Sequence, residues 1–175
     1  MSGADSLTPV PVGSTEYSEI LTWLYREARL LDAGEFNAWL DLMAPDIAYD
    51  MPTRVSVLPK EGSGFHPEFG LFAENHASLT ARVKRLGTSQ AWAEQPRSRT
   101  RHYLSNVLID KDAAEELHVT ASMLVTRLRA NRPPDMFCGE RQDLLRRRNS
   151  TLMLVRRRIL LDHTVLDTHN LSIFF

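Results

Sequence analysis

Apolar residues recur at two different periods along this chain, and the change of period divides it in two. Ile20, Leu24, Ala28 and Leu31 fall at helical spacing, with Tyr17, Leu21 and Trp23 widening the stripe. Ser14 and Thr15 are good N-cap residues, and Glu16 and Glu19 meet the positive end of the helix dipole, so a helix is predicted from there to Asp32-Ala33-Gly34. A second, short helix is predicted from Glu35 to Met43, with Phe36, Trp39, Leu40 and Met43 on one side and Pro45 ending it. Ile47, Tyr49 and Met51 alternate with Ala48 and Asp50 as a short strand closed by Pro52. Thr53 to Gly70 reads as a long loop with an extended piece at Val55 to Leu58. Leu71 to Leu86 reads as a third helix burying Leu79, Val83 and Leu86 and stopped by Gly87. From Thr100 the period becomes two. Strands are predicted at 101–109, 116–129, 136–148 and 151–162, separated by Asp110-Lys111-Asp112, Asn131-Arg132-Pro133-Pro134 and Arg148-Asn149-Ser150. Leu117, Val119, Ala121, Met123 and Val125 share one face, as do Met153, Val155, Ile159 and Leu161. Short links between long strands imply an antiparallel meander, and helices before strands imply an α+β domain with the helices on one sheet face.

Composition adds bounds. The 175 residues, 43% of them hydrophobic, fit one domain (14–175) behind a small, polar, Pro-containing lead (1–13) expected to be flexible. The net charge of −1 offers no field for nucleic acid or an anionic membrane. No run approaches the roughly 20 apolar residues of a membrane helix, and no signal-peptide pattern precedes Ser14, so a cytoplasmic protein is expected. One cysteine, Cys138, excludes an internal disulfide and reads as a small buried apolar residue. Lys60, Lys84 and Lys111 are the only lysines, and arginine, which carries the remaining positive charge, suits paired interfaces.

Several segments resemble the small (β) subunits of Rieske-type aromatic-ring-hydroxylating dioxygenases. These are Tyr25-Arg26-Glu27-Ala28-Arg29-Leu30-Leu31-Asp32, Trp39-Leu40, Asp46-Ile47-Ala48-Tyr49 and Met51-Pro52-Thr53-Arg54. A longer match covers Arg82-Val83-Lys84-Arg85-Leu86, Ala91-Trp92-Ala93-Glu94, Pro96-Arg97-Ser98-Arg99-Thr100-Arg101-His102 and Ser105-Asn106-Val107. Arg141-Gln142-Asp143-Leu144-Leu145-Arg146, Arg156-Arg157-Arg158-Ile159 and Asn170-Leu171-Ser172-Ile173-Phe174-Phe175 complete it. Their order and spacing carry the likeness, and the Trp92 stretch looks closest to the biphenyl, toluene and benzene type. The resemblance implies an NTF2-like (cystatin-like) cone, a curved antiparallel sheet wrapped around about three N-terminal helices. It implies a non-catalytic subunit that forms a homotrimer supporting a large α subunit in an α3β3 hexamer. The Rieske [2Fe–2S] cluster and mononuclear Fe(II) would belong to that α subunit, which cis-dihydroxylates an aromatic hydrocarbon or acid. Ferredoxin and reductase would be met only through it.

The chain's own residues offer little chemistry beside that likeness. A Rieske centre needs two Cys and two His, which a single cysteine cannot supply. Mononuclear iron needs two His and a carboxylate converging on one point. Only His163, Asp167 and His169 lie close in sequence, and on one strand face they would fan out at roughly 7 and 13 Å, so they read as polar positions of a terminal hairpin. NTF2-like cones also house stand-alone isomerases and dehydratases. Asp46, Tyr49, Asp50 and His102 would supply an acid–base set if they met in a pocket. The bland alternative has Tyr49 packing, Asp46 in a turn and His102 among arginines and carboxylates, with Trp23, Trp39, Phe36 and Met43 filling the cone mouth. No catalytic, cofactor or metal residue is therefore assigned to this chain.

The arginines carry the remaining expectation. Arg97, Arg99 and Arg101 alternate into a strand, while Arg146, Arg147, Arg148 and Arg156, Arg157, Arg158 flank one turn. Crowded like charges need carboxylates, from Asp143, Glu140 or Asp162 or from a neighbouring subunit. Arg97, Arg99, Arg101, His102, Arg146, Arg156, Arg157 and Arg158 are the expected subunit-interface residues. Parity puts Arg157 on the apolar face with Val155 and Ile159, where a guanidinium demands an ion pair. A filled cone and a structural role, or an open pocket and turnover by the isolated chain, are the two outcomes to separate.

Overall fold

The computed structural model describes residues 7–56, 58, 62–87, 97–129, 132–168 and 170–175. Its elements are β1 (Thr8–Pro9), α1 (Thr15–Ala33), α2 (Phe36–Leu40), β2 (Met43–Arg54), β3 (Phe65–Asn75), α3 (His76–Leu86), β4 (Arg99–Lys111), β5 (Leu117–Leu128), β6 (Asp135–Arg148) and β7 (Thr151–Leu161). The strands form one seven-stranded sheet in the order β1-β4-β5-β6-β7-β2-β3. From β4 to β7 it is the expected meander, but β2 joins β7 in parallel and is paired antiparallel with β3.

Helix α1 starts where the capping residues put it. Ser14 Oγ accepts the Tyr17 N–H at 3.1 Å, and Ile20, Leu24, Glu27, Ala28 and Leu31 are its buried positions. It ends at Gly34, whose φ of 73° favours glycine, and the Gly34 and Glu35 N–H groups return to the Leu31 and Leu30 carbonyls. The last turn lacks a basic residue, and Arg97 supplies one from outside the helix. Its Nη1 and Nη2 donate to the carbonyls of Ala33 and Leu31 at 3.0 and 3.3 Å, where a cation meets the negative end of the dipole.

Four expectations are corrected. The second helix stops at Leu40 rather than Met43, and Pro45 lies within β2, in the irregular stretch between the Met43 and Ala48 pairings. Pro52 likewise sits at a register shift of β2 instead of closing it, which spares the ladder an N–H that proline lacks. The end of the long loop and the start of the third helix are replaced by β3, and α3 begins only at His76, with Asn75 and Ser78 forming a reciprocal capping box. Finally, the lead is not free throughout, because Thr8 and Pro9 pair with β4 and Val10 is buried. The Ala91–Glu94 segment, Asn131 and His169 lie outside the described residues.

The meander strands bury the predicted face. Leu117, Val119, Ala121, Met123 and Val125 all point inward, and Arg127 continues that face. In β7 the phase changes once: the register with β6 slips between Leu144 and Leu145, leaving Val155 as an extra residue. Leu152 and Leu154 therefore share the interior with Arg157, Ile159 and Leu161, while Met153 is only half-buried. Cys138, expected to be buried, is half-buried and alternates with the inward Phe137. The core lies between the inner sheet face and the three helices, and its largest members include Trp39, Tyr49, Phe137, Phe174 and Phe175.

Candidate functional site

Strand pairing sets Arg157 of β7 opposite Asp143 of β6, with Arg141 two residues along the same inner face. Helix α1 lays Glu27 over them from its buried stripe. The four side chains make a charge-balanced group of two cations and two anions. Arg157 Nε and Nη2 donate to the two Asp143 oxygens at 2.8 Å each, and Nη1 donates to Glu27 Oε1 at 2.5 Å and to the main-chain oxygen of Phe175 at 2.7 Å. Trp39 Nε1 donates to the same Glu27 oxygen at 2.9 Å, and Arg141 Nη1 stands 3.1 Å from Glu27 Oε2. Burial alone would raise the Glu27 carboxyl, but Arg157 and Arg141 outweigh it and hold it down at about 2. For Arg157, burial opposes the charge while Asp143 and Glu27 more than compensate, so the guanidinium is held above its ordinary value. The expected Arg157 ion pair is thus present and lies within the chain. Its side chain is 0% exposed, which corrects its assignment to a subunit interface: a wholly enclosed group cannot reach a neighbour.

The acid–base candidates do not meet. Asp46 lies at the rim, where Arg146 Nη1 donates to it at 2.9 Å and lowers its carboxyl. Asp50 faces away from Tyr49 on the same strand and stands 3.5 Å from Arg158, with burial raising its carboxyl. Tyr49 is buried, its hydroxyl pushed up to about 12 by desolvation. That hydroxyl accepts the Phe175 N–H at 2.9 Å and donates to the Phe175 oxygen at 3.3 Å. The His102 Nδ1 lies 2.6 Å from Asp32 Oδ1 and its Nε2 3.0 Å from the Phe174 oxygen, so both ring nitrogens are engaged. The His102 side chain is only 2% exposed, which also removes it from the list of interface residues. The cavity beside it, bounded by Leu31, Phe36, Thr100, Ile173 and Phe174, holds about 70 Å³. That is well below the roughly 300 Å³ at which ligand pockets begin.

The other arginines divide by reach. Arg97 caps α1 and stacks on the Phe36 ring at 4.8 Å. Arg146 bridges Asp46 and Glu116, and Arg147 makes a bidentate pair with Glu19 at 2.7 and 2.9 Å. Arg99, Arg101, Arg148, Arg156 and Arg158 are exposed. Arg101 stands 3.7 Å from Asp32.

Metal ligation finds no support in the donor set. Among the described residues no group of three His, Cys, Asp or Glu could hold an ion. The segment after β7 is irregular, not the predicted terminal hairpin, so His163 and Asp167 share no strand face. A Rieske cluster, with its two Cys and two His, does not fit these residues either. Of the groups that fill the interior, Trp39 and Met43 were legible, and Phe36 and Trp23 pack against the core, half-buried. Two contributions were missed. Glu27 carried a signal: an acid on the stripe of Ile20, Leu24 and Leu31 must meet a cation. Phe174 and Phe175 carried none, because their contacts are distant in sequence. A second cleft, of about 490 Å³, lies between Pro133, Met136, Val165 and Leu166, and the Arg127 and Asp135 side chains on its wall stand 3.7 Å apart.

Comparison with known proteins bears on this filled interior. A family model described as "Ring hydroxylating beta subunit" matches residues 26–168. The biphenyl 2,3-dioxygenase subunit beta of Rhodococcus jostii (strain RHA1) is 38% identical over 173 residues, covering 95% of this chain and 92% of that one. The 3-phenylpropionate/cinnamic acid dioxygenase subunit beta of Photorhabdus laumondii is 39% identical over 162 residues, covering 90% of each. Among solved structures, naphthalene 1,2-dioxygenase with indole bound superposes with a TM-score of 0.80 at 27% identity, covering 90% of this chain and 84% of that chain. The architecture is the NTF2-like cone.

Proposed function

The chain belongs to the ring-hydroxylating β-subunit family, and from that premise we propose that it is the structural, non-catalytic small subunit of an aromatic-ring-hydroxylating dioxygenase. The observation that carries this reading is the occupied cone. Its interior holds a charge-balanced four-residue cluster and the residues Ile173, Phe174 and Phe175; of the candidate acid–base groups, Tyr49 and His102 are bound to that segment, while Asp46 and Asp50 pair with Arg146 and Arg158. An interior so committed is a rigid body suited to supporting a partner.

The enzyme is an oxidoreductase, and the family implies a large-subunit partner. In our reading that partner holds the Rieske [2Fe–2S] cluster and the mononuclear Fe(II), and alone meets ferredoxin and reductase. Three copies of this chain form a trimer beneath three large subunits, in the cytoplasm. The substrate is an aromatic hydrocarbon or aromatic acid taken into catabolism, as the names of the relatives suggest. Arg99, Arg101, Arg156 and Arg158, exposed on the outer strand faces, are the contacts we assign to neighbouring subunits, with Arg146 at the rim and Arg97 beside Arg99. Arginine serves such contacts because its planar fork pairs carboxylates bidentately.

Co-expression with the large subunit of a ring-hydroxylating dioxygenase from the same organism tests the reading. The expected result is one complex with the sedimentation mass of three large and three small subunits and with iron. A small chain that fails to associate with that partner would contradict it.

A further inference from the structure

The segment from Asn170 to Phe175 has no regular secondary structure and, among the described residues, joins no strand of the sheet. It is held instead by side chains reaching in from five elements. Arg127 of β5 donates to the Asn170 oxygen at 2.8 Å, and Arg82 of α3 donates to the Leu171 and Ile173 oxygens at 3.4 and 3.0 Å. His102 of β4 meets the Phe174 oxygen, while Tyr49 of β2 and Arg157 of β7 meet Phe175. The two rings enter aromatic slots. Phe174 lies 4.4 Å from Trp39 and 5.4 Å from Phe36, with the Arg82 guanidinium 4.5 Å over its face, and Phe175 meets Phe137 edge-on at 5.4 Å. Side-chain donors that read backbone oxygens, with apolar slots for the rings, are how a pocket recognises a bound molecule. A strand built into the fold would use main-chain ladders.

We propose that the interior of the cone is a binding site for an aromatic molecule bearing an oxygen acceptor, and that residues 171–175 of this chain occupy it as a built-in ligand. Tyr49, His102 and Arg157 are its polar contacts, and Trp39, Phe36 and Phe137 its ring walls. The Asp32–His102 pair is then a polar wall of that site, covered by the segment. The site goes beyond the scaffolding role, and its failure would leave that role untouched.

The test keeps the full chain and expels the segment by substituting Phe174→Glu and Phe175→Glu, since two carboxylates cannot remain in the aromatic slots. The probes are N-acetyl-phenylalanyl-phenylalanine with a free carboxyl, the same dipeptide as its amide, and toluene. At millimolar concentration one or both dipeptides should raise the melting temperature of the substituted chain by several degrees, or restore its native circular dichroism if it is unfolded alone. The unsubstituted chain should show no shift, because its site is filled. The acid and amide arms separate a carboxylate ligand from a carbonyl ligand. Adding Tyr49→Phe should weaken dipeptide binding about tenfold, the loss expected for one good hydrogen bond. Absence of any dipeptide effect, equal rescue by toluene, or an affinity indifferent to Tyr49→Phe would each overturn the proposal.

Discussion

Replacing Arg157 by methionine should cost more stability than any other single polar substitution in the chain. Methionine fills much of the same volume but leaves Glu27 and Asp143 buried beside only one cation, Arg141, whose Nη1 stands 3.1 Å from Glu27. Breaking a buried ion pair from one side costs roughly 3–5 kcal/mol, and two carboxylates lose a partner here, so the upper end applies. About 5 kcal/mol is a large share of the roughly 5–15 kcal/mol that holds a domain together, and at about 2–4 °C per kcal/mol it lowers the melting temperature by about 10–20 °C. The pH dependence gives an independent check with a defined sign. Glu27 is held at about 2 in the folded chain against 4.5 in the absence of the fold. Because its folded value is depressed, its contribution is complete above pH 4.5 and is lost as pH falls toward 2, amounting to about 3 kcal/mol. Without Arg157 the burial effect is opposed by less charge, so the depression shrinks. The stability gap between the two proteins should therefore narrow as pH falls through that window. Urea unfolding followed by circular dichroism at a series of pH values measures both effects, and the double variant Arg157→Met, Glu27→Gln should recover at least about 2 kcal/mol relative to additivity. A cost under about 1 kcal/mol, or a gap independent of pH, would show that the Arg157 cluster does not hold the fold together.

Three further outcomes follow from other parts of the fold. Asn75→Ala removes one half of the α3 capping box and should cost about 1 kcal/mol in the same unfolding assay. Gly139→Ala would bring a Cβ within 2.3 Å of the Leu160 oxygen, which belongs to the neighbouring main chain and cannot rotate away. It should destabilise by about 1–3 kcal/mol or more and perturb the β6–β7 pairing, seen as faster amide exchange along Leu160 and Leu161. Arg99→Glu with Arg101→Glu should leave the circular dichroism of the chain unchanged but weaken self-association in sedimentation, if those exposed guanidinia contact a neighbouring subunit.

The meander was legible because one face of each strand is buried. Leu117 to Val125 and Ile159 to Leu161 announce their direction through a period of two, and the same parity identified Arg157 as an interior charge. The edge of the sheet was not legible. Pro67 and Gly70 interrupt the alternation of β3, whose outward Leu71 and half-buried Phe72 and Glu74 resemble the first turn of a helix. Pro45 and Pro52 read as terminators in the sequence, yet prolines at register shifts give up no ladder bond. Of the interior, the helix stripe already contained Glu27, and an acid there pointed to a buried cation. The role of Phe174 and Phe175 could not be read locally, because the groups that hold them, such as Arg82, His102 and Tyr49, lie between 72 and 126 residues away along the chain.

We read this chain as one that supports catalysis without performing it. The most direct measurement is the iron content and oxygen uptake of the purified chain, with an aromatic substrate, a ferredoxin and a reductase supplied, before and after the large subunit is added back. No iron and no uptake by the chain alone, with both present once the large subunit joins it, is the predicted result. Iron held by the isolated chain, or substrate-dependent oxygen uptake without the partner, would contradict the account.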